Sequence, residues 1–452
     1  MPLGETIVAL GSPVGESAIA LIRLSGELCA DIAQVAFAKK APPPARMVQV
    51  GFYRTIAGEK IDQCAFVLYP DTKSYTGEPM LEIHAHGNPL IAQKIMEDLV
   101  ARGCRMAQAG EFTRTAFCNN KMDLAQAEAV SDLIRARSEK SLSVAQKQLA
   151  GHLGNKITKQ MDLLLEILAE TEAYIDFPEE DLPDENQDGP ISKIAELIQD
   201  VSQLAETSHY GELLRDGIKT VILGAPNAGK SSLLNHLLGD DRAIVSPIAG
   251  TTRDFISERT MVGPYCIQLV DTAGLHKAGS DIEAIGIEKT IEKVQQSDFF
   301  LLIMEGQEEA PVLPQEVIDC LTQKNTLLLI NKTDLPNQQD HTNFLKPYQR
   351  VFISIKNGQG LPKLRNNIIE TLEKDRVVPN EHQLIVSARH ASALKSAGAC
   401  LEAALQKLKM GDPAELAASE LRDALTHFGD ILGKVDNEQM LDKLFSNFCI
   451  GK

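Results

Sequence analysis

The sequence predicts a chain of mixed α/β and α class: a short-strand α+β domain, then a helical domain into which an α/β domain is inserted. Three observations predict it. Strand-like runs broken by a Gly/Ser/Pro loop open the chain. Long apolar stripes at helical spacing flank residues 216–375 on both sides. Between them, apolar strands alternate with helices at the spacing of a doubly wound unit. The expected divisions are 1–118 for the first domain, 119–215 and 376–452 for the two parts of the helical domain, and 216–375 for the insertion.

Taken in order, Thr6-Ile7-Val8-Ala9-Leu10 and Ala18–Leu24 read as strands. Ala41-Pro42-Pro43-Pro44 marks a connection, because proline neither continues a helix nor pairs in a central strand. Cys64–Tyr69 and Met80–Gly87 are further strands, the second placing Glu82, His84 and His86 on one face. Two histidines at i, i+2 without a further ligand point to a packed or solvated strand face rather than a metal site. Pro89–Arg102 reads as an amphipathic helix, and stripes through Leu124–Ile134, Met161–Tyr174 and Ile191–Leu214 read as longer ones. The acidic, proline-containing run Phe177–Glu185 is expected to be a solvated loop. Beyond Arg376-Val377-Val378-Pro379, helices are expected over Ala391–Met410, Ala414–Leu432 and Asn437–Phe448.

Composition sets limits. An apolar share of 44% and a charged share of 24% over 452 residues are ordinary for a globular protein with several cores. The net charge of −17 argues against a broad nonspecific nucleic-acid surface, while leaving room for a local basic site or RNA brought by a partner. Eight scattered cysteines without a C-x-x-C pair suggest neither a disulfide framework nor a zinc site. With no leader pattern and no bilayer-length apolar run, the expectation is a cytoplasmic protein with no membrane partner.

The inserted domain carries the densest chemistry. After the apolar run Thr220–Leu223 comes Gly224-Ala225-Pro226-Asn227-Ala228-Gly229-Lys230-Ser231-Ser232, with the G-x-x-x-x-G-K-[ST] spacing of a phosphate loop. Glycines there let backbone N–H groups turn inward around phosphate oxygens at a helix N-terminus. Lys230 is expected to reach the β and γ phosphates, and the Ser231 hydroxyl to bind Mg²⁺. Asp271-Thr272-Ala273-Gly274 ends a second apolar strand; Asp271 suits Mg²⁺ through water and the Gly274 N–H suits the γ phosphate. Asn331-Lys332-Thr333-Asp334 ends a third, and the Asp334 carboxylate can accept from both N1–H and the exocyclic amine of guanine. That selects GTP over ATP. Ser354-Ile355-Lys356 fits the last base-contacting loop, and Gly250-Thr251-Thr252-Arg253-Asp254 fits the switch that brings a threonine to Mg²⁺. Leu275 stands where small signalling GTPases place a water-orienting glutamine, so hydrolysis needs that group, and a positive charge, from elsewhere.

G-x-P-N-A-G-K-S, G-T-T-R-D, D-T-A-G-L and N-K-T-D, set within helical text, resemble the tRNA-modification GTPase MnmE (TrmE) family. So do Leu21-Ile22-Arg23-Leu24-Ser25-Gly26, Tyr75-Thr76-Gly77-Glu78, Gly110-Glu111-Phe112-Thr113-Arg114, Lys121–Glu128 and the terminal Cys449-Ile450-Gly451-Lys452. The likeness spans essentially the whole chain. It implies a homodimer formed through a first domain folded like tetrahydrofolate-binding modules. That domain would bind 5,10-methylene- or 5-formyl-tetrahydrofolate, with Arg23, Glu82, Lys121 and Lys452 at ligand positions. It also implies a heterotetramer or larger complex with the flavoprotein MnmG (GidA), which carries FAD and uses NADH. Together the two install an aminomethyl or carboxymethylaminomethyl group at C5 of the wobble uridine of certain tRNAs.

The same resemblance answers the Leu275 problem. It implies a K⁺ ion held by Asn227, Ser246, Ile248 and Thr251, and a water-organising Glu283. Mg²⁺ falls to Ser231 and Thr252, and the nucleotide lining includes Ser246, Pro247, Ile248, Ala249, Gly250, Thr251, Thr252, Asp271, Thr272, Ala273 and Gly274. Cys449 becomes a candidate nucleophile, so the last helix is expected to return to the first domain. Two other classes compete: a ribosome-assembly GTPase, which leaves the first domain and the Cys449 tail without a role, and a folate-dependent aminomethyltransferase with a vestigial nucleotide domain, which the intact Lys230, Ser231 and Asp271 argue against.

Overall fold

The computed structural model describes residues 4–176, 188–240, 257–270, 291–309, 311, 313–339, 341, 344–374, 384–434, 438–446 and 448–451. The chain divides into two compact units, Met1–Ser131, Gln148–Met161 and Phe428–Lys452 in one, and Asp132–Lys147 and Asp162–His427 in the other.

In the first unit, β1 (Ile7–Leu10), β2 (Ser17–Ser25), β3 (Gln49–Arg54), β4 (Lys60–Tyr69), β5 (Met80–Gly87) and β6 (Arg105–Met106) form one sheet in the order β3-β4-β5-β2-β1-β6. All neighbours are antiparallel except β1 and β6. Strand alternation divides its side chains cleanly. Val8, Ile22, Leu24, Phe66, Leu68, Leu81 and Ile83 turn to one face and are buried with the helices Cys29–Ala36 and Pro89–Ala101. Ile7, Ala9 and Met80 turn to the other, where Phe112 of the helix Glu111–Cys118 packs.

The Pro89–Ala101 helix starts where the sequence predicts. Asn88 caps it, its Oδ1 accepting from Leu90 N at 2.9 Å, and Pro89 occupies the first turn, where a missing N–H costs nothing. Asp98 ties the helix to the sheet, accepting from Tyr53 Oη at 2.7 Å, Ile56 N at 2.8 Å and Arg102 Nε at 2.7 Å. Burial, then the Asp98 carboxylate, pushes the Tyr53 phenol far above its ordinary pKa.

In the second unit, β7 (Ile218–Leu223), β8 (Ser257–Val262), β9 (Tyr265–Val270), β10 (Phe299–Glu305), β11 (Thr326–Asn331) and β12 (Gln349–Phe352) run in the order β12-β11-β10-β7-β9-β8. Only the β8–β9 pair is antiparallel. The unbroken apolar text of β10 and β11 has its reason here, since both strands are covered on both faces. Leu233 and Leu237 of the helix Lys230–Asp240, and Leu364 and Ile368 of the helix Leu361–Lys374, cover one face; Val294 and Val317 cover part of the other.

The following features depart from the sequence reading. The helix Cys29–Ala36 and the strand β3 were not expected: the first is only eight residues long, and the second is an edge strand whose outward residues are apolar. Val50 and Phe52 are 60% and 45% exposed there, and Val48 just before the strand is 70% exposed. The expected helix Ile191–Leu214 is two helices, Asp188–Glu206 and Ser208–Asp216, broken at Thr207. The Thr207 hydroxyl donates to Leu204 O at 2.7 Å and accepts from Val386 N at 3.2 Å, a tertiary bond that no local pattern announces. The last helix ends at Phe445, and Phe448 turns back so that the two rings lie 5.2 Å apart. The acidic run Phe177–Glu185 lies outside the described residues.

Gly26 shows how tightly β2 leaves the sheet. Its φ is +132°, and a methyl there would stand 2.6 Å from Thr6 Cα. Gly26→Ala should cost about 2 kcal/mol or more. In scanning calorimetry the transition of the first unit should fall by several degrees; an unmoved transition would show that the turn yields.

Candidate active site: a phosphate loop bonded to a base loop

The phosphate loop begins where β7 ends, on a central strand between β10 and β9. Gly224 has φ +151°, and a Cβ there would lie 2.0 Å from Ile303 O of β10, so only glycine lets the loop cross this strand. Asn227 and Gly229 also have positive φ, +64° and +106°, which folds the loop back toward the helix that starts at Lys230. Lys230 Nζ donates to Gly224 O at 2.8 Å and Ala225 O at 2.7 Å, lying across its own loop. Burial holds its pKa below that of an ordinary lysine. Ser231 and Ser232, in the first turn, are exposed, as is Asn227.

The base side is bonded to this loop by one buried side chain. Asn331 Nδ2 donates to Ala228 O at 2.8 Å, while Asn331 Oδ1 accepts from Ile355 N at 3.3 Å. Asp334 is exposed, and the hydroxyl of fully buried Ser354 donates to its Oδ1 at 2.6 Å. That bond, with Lys356 nearby, holds the carboxyl below its usual range, so Asp334 stays an acceptor at any physiological pH. Asn227, Ala228, Gly229, Lys230, Asn331, Lys332, Asp334 and Ser354 therefore belong to one connected group of loops at the ends of β7, β11 and β12. Ser246, Pro247, Ile248, Ala249, Gly250, Thr251, Thr252, Asp271, Thr272, Ala273, Gly274, Leu275, Glu283 and Lys452 lie outside the described residues. Asp271 follows directly on Val270, which pairs with Val221 of β7.

The first unit holds the other expected residues. Arg23 and Glu82 face each other across β2 and β5, with Arg23 Nε donating to Glu82 Oε1 at 2.8 Å. Burial and the neighbouring Glu82 raise the pKa of Tyr69. The Tyr75 hydroxyl meets that of Thr113 at 2.9 Å. Ser25, two residues along the same face as Arg23, meets Thr76 Oγ1 at 2.7 Å and donates to Glu78 Oε2 at 3.0 Å. Asn119 Nδ2 donates to Thr76 O at 2.8 Å, and a methyl on Gly77 would stand 3.2 Å from Lys121 Cε. Three stretches of sequence thus meet beside the Arg23–Glu82 pair. Tyr69, Ser25, Thr76 and Glu78 were not singled out as site residues; the available signal was the i+2 spacing of Ser25 from Arg23.

Cys449 is exposed, and its backbone carbonyl accepts from Gly110 N at 3.4 Å. Ile450 bridges Ala109 in antiparallel fashion, and a methyl on Gly451 would stand 2.7 Å from Leu10 O. The tail returns to the first domain within the same chain. His86 Nδ1 lies 2.8 Å from Asp62 Oδ1, and no group of three metal-ligating side chains occurs among the described residues. No helix among them is long and apolar enough to cross a membrane.

A phosphate loop on a central parallel strand, bonded through an asparagine to a carboxylate-bearing base loop, defines a P-loop GTPase domain. Around it, residues 6–121 match the GTP-binding protein TrmE N-terminus and residues 124–449 match the MnmE helical domain. Over 452 residues the chain is 48% identical to the tRNA modification GTPase MnmE of Opitutus terrae, covering 100% of each. It is 38% identical over 449 residues to that of Aquifex aeolicus, covering 99% of this chain and 100% of the relative. The G domain of the T. maritima FeoB iron transporter is 25% identical at a TM-score of 0.25, covering 34% of this chain and 99% of that one. The chain belongs to the tRNA modification GTPase MnmE family.

If Asp334 reads the guanine donor pair, Asp334→Asn should shift preference from GTP to xanthosine triphosphate, whose C2 oxygen replaces the amine. Competition for bound nucleotide measures this, and retained GTP selectivity would remove Asp334 from the role.

Proposed function

We propose that this chain is a K⁺-activated GTPase that works with the flavoprotein MnmG, using a one-carbon folate, to install an aminomethyl or carboxymethylaminomethyl group at C5 of the wobble uridine of certain tRNAs. The observation that carries the reading is the docking of the Cys449 tail on the unit that holds the Arg23–Glu82 pair. A chain that only hydrolysed GTP would have no use for an exposed thiol held there.

Backbone N–H groups of Asn227 to Ser232 and the Lys230 ammonium hold the phosphates, which requires Lys230 to leave its two loop carbonyls. Asp334 selects guanine, with Ser354 holding it in place. The exposed Ser231 hydroxyl in the first turn fits Mg²⁺, with Thr252 as its second protein ligand. The exposed Asn227 fits K⁺, with Ser246, Ile248 and Thr251; that ion supplies charge at the phosphates. Glu283 organises the attacking water in place of the glutamine that Leu275 lacks. Arg23, Glu82, Lys121 and Lys452 bind 5,10-methylene- or 5-formyl-tetrahydrofolate. FAD and NADH belong to the partner.

At the uridine, the Cys449 thiolate would add to C6 and make C5 nucleophilic; a folate held at the Arg23–Glu82 site would supply the one-carbon unit, its bond to the folate nitrogen breaking as the bond to C5 forms. Loss of the C5 proton then expels the thiolate, splitting one hard substitution into easier steps. A homodimer through the first unit is supported by the edge strand β3, where Val50 and Phe52 present apolar side chains to solvent.

Replacing K⁺ by Na⁺ should slow GTP turnover at least about tenfold, and Glu283→Ala should keep GTP binding while lowering kcat by about two orders of magnitude. Steady-state rates in the two salts decide it, equal rates removing the ion's role. Cys449→Ser should leave GTP hydrolysis nearly intact and abolish wobble modification. Normal modification in tRNA from cells carrying that variant would reduce the thiol to a bystander.

A further inference from the structure

β10 ends in an acid. Glu305 Oε2 lies 2.7 Å from the ammonium of Lys332, with the two side chains 11% and 34% exposed. Lys332 stands between Asn331, which is bonded to the phosphate loop, and Asp334, the expected guanine reader. Its φ of +60° is a conformation that a residue with a Cβ adopts only when its surroundings impose it.

Those surroundings are supplied by the end of β10. Gly306 N donates to Asn331 O at 3.0 Å, and Gly306 O accepts from Gln339 N at 2.8 Å. Gln338 Nε2 donates to Lys332 O at 3.1 Å and to Leu335 O at 2.8 Å. A methyl on Gly306 would stand 1.8 Å from Gln338 Oε1, so it would displace the Gln338 carboxamide from the loop. Glu305 and Gly306 thus hold the backbone and the one cationic side chain of the Asn331–Asp334 loop together.

We propose that Glu305 is a positioning residue for guanine recognition. By pinning the Lys332 ammonium before nucleotide arrives, it fixes the lysine stem as a preformed wall of the base site. A free lysine stem would surrender its rotamer freedom at binding; here that freedom is lost on folding, and the difference appears as nucleotide affinity. Because Glu305 is mostly buried and its partner only partly exposed, the pair is screened less than a surface pair. The phosphate loop is untouched, so the effect falls on base affinity and selectivity rather than on the chemical step. The inference rests on the reading of Asn331–Asp334 as the guanine loop.

The test uses the full chain and a fluorescent GDP analogue. Glu305→Gln should weaken GDP about tenfold, chiefly through faster dissociation, and leave ATP affinity unchanged. KM for GTP should rise while kcat at saturation stays within about twofold. Lys332→Met keeps the stem and removes the charge; in that background Glu305→Gln should cost nothing further. Unchanged GDP affinity in Glu305→Gln, or an equal loss with and without Lys332's charge, would overturn the proposal. Asp334→Asn run alongside separates the two readings: unaltered selectivity there sinks the guanine loop itself, whereas altered selectivity with a silent Glu305→Gln sinks only Glu305.

Discussion

The carboxamide of Asn331 holds the nucleotide site together. It is 3% exposed, and it spends its donor on Ala228 O of the phosphate loop and its acceptor on Ile355 N of the last loop. Three loops that share no sequence neighbours are thereby fixed at the ends of β7, β11 and β12. The bonds require the parallel register to be correct, because a slip of one residue would turn a buried side chain to the opposite face. β10 and β11 are apolar along nearly their whole length because both their faces are covered, and β10 turns acidic only at its last residue. Removing either partner of a buried bond leaves the other unsatisfied, which costs more than the bond contributes.

The first unit depends on alternation instead. The same β2–β5 pairing that buries Ile22 against Ile83 on one face sets Arg23 against Glu82 on the other. Core and polar group are consequences of one register, so neither can be changed without the other. β3 is one of the two edge strands of that sheet, and its Val50 and Phe52 side chains are exposed.

What the sequence revealed follows from the range of the contacts involved. The phosphate loop was legible because its chemistry is local: glycines, lysine and serine within nine residues, between a strand and a helix. β5, the helix Pro89–Ala101 and the helix Ala414–Leu432 were legible from the period of their apolar residues. The break at Thr207 was not, because it depends on Val386. Ser25 finds Thr76 and Glu78 from over fifty positions away, and its i+2 spacing from Arg23 gives its face but not its partners. Glu305 is one acid after six buried residues, and its partner lies on the next strand's loop. A family resemblance supplies roles for Arg23, Glu82 and Cys449, but not the bonds that set them.

The docking of the Cys449 tail also has an entropic side. The first unit is discontinuous, closing over the residues between Met161 and Phe428, and Arg114 reaches Asp442 across 328 positions at 2.6 Å. Loop-closure entropy grows only with the logarithm of length, so this closure costs about 2 kcal/mol more than one tenfold shorter. Burial of Leu441, Phe445 and Phe448 against Leu124 and Ala127 offsets that at roughly 1.5 to 3 kcal/mol for each large side chain. Loss of one of these three anchors would remove about a third of that burial. The thiol is therefore presented only by a chain whose far end has been made and folded back, its position set by the packing of Phe445 and Phe448 together with the backbone contacts of Cys449, Ile450 and Gly451.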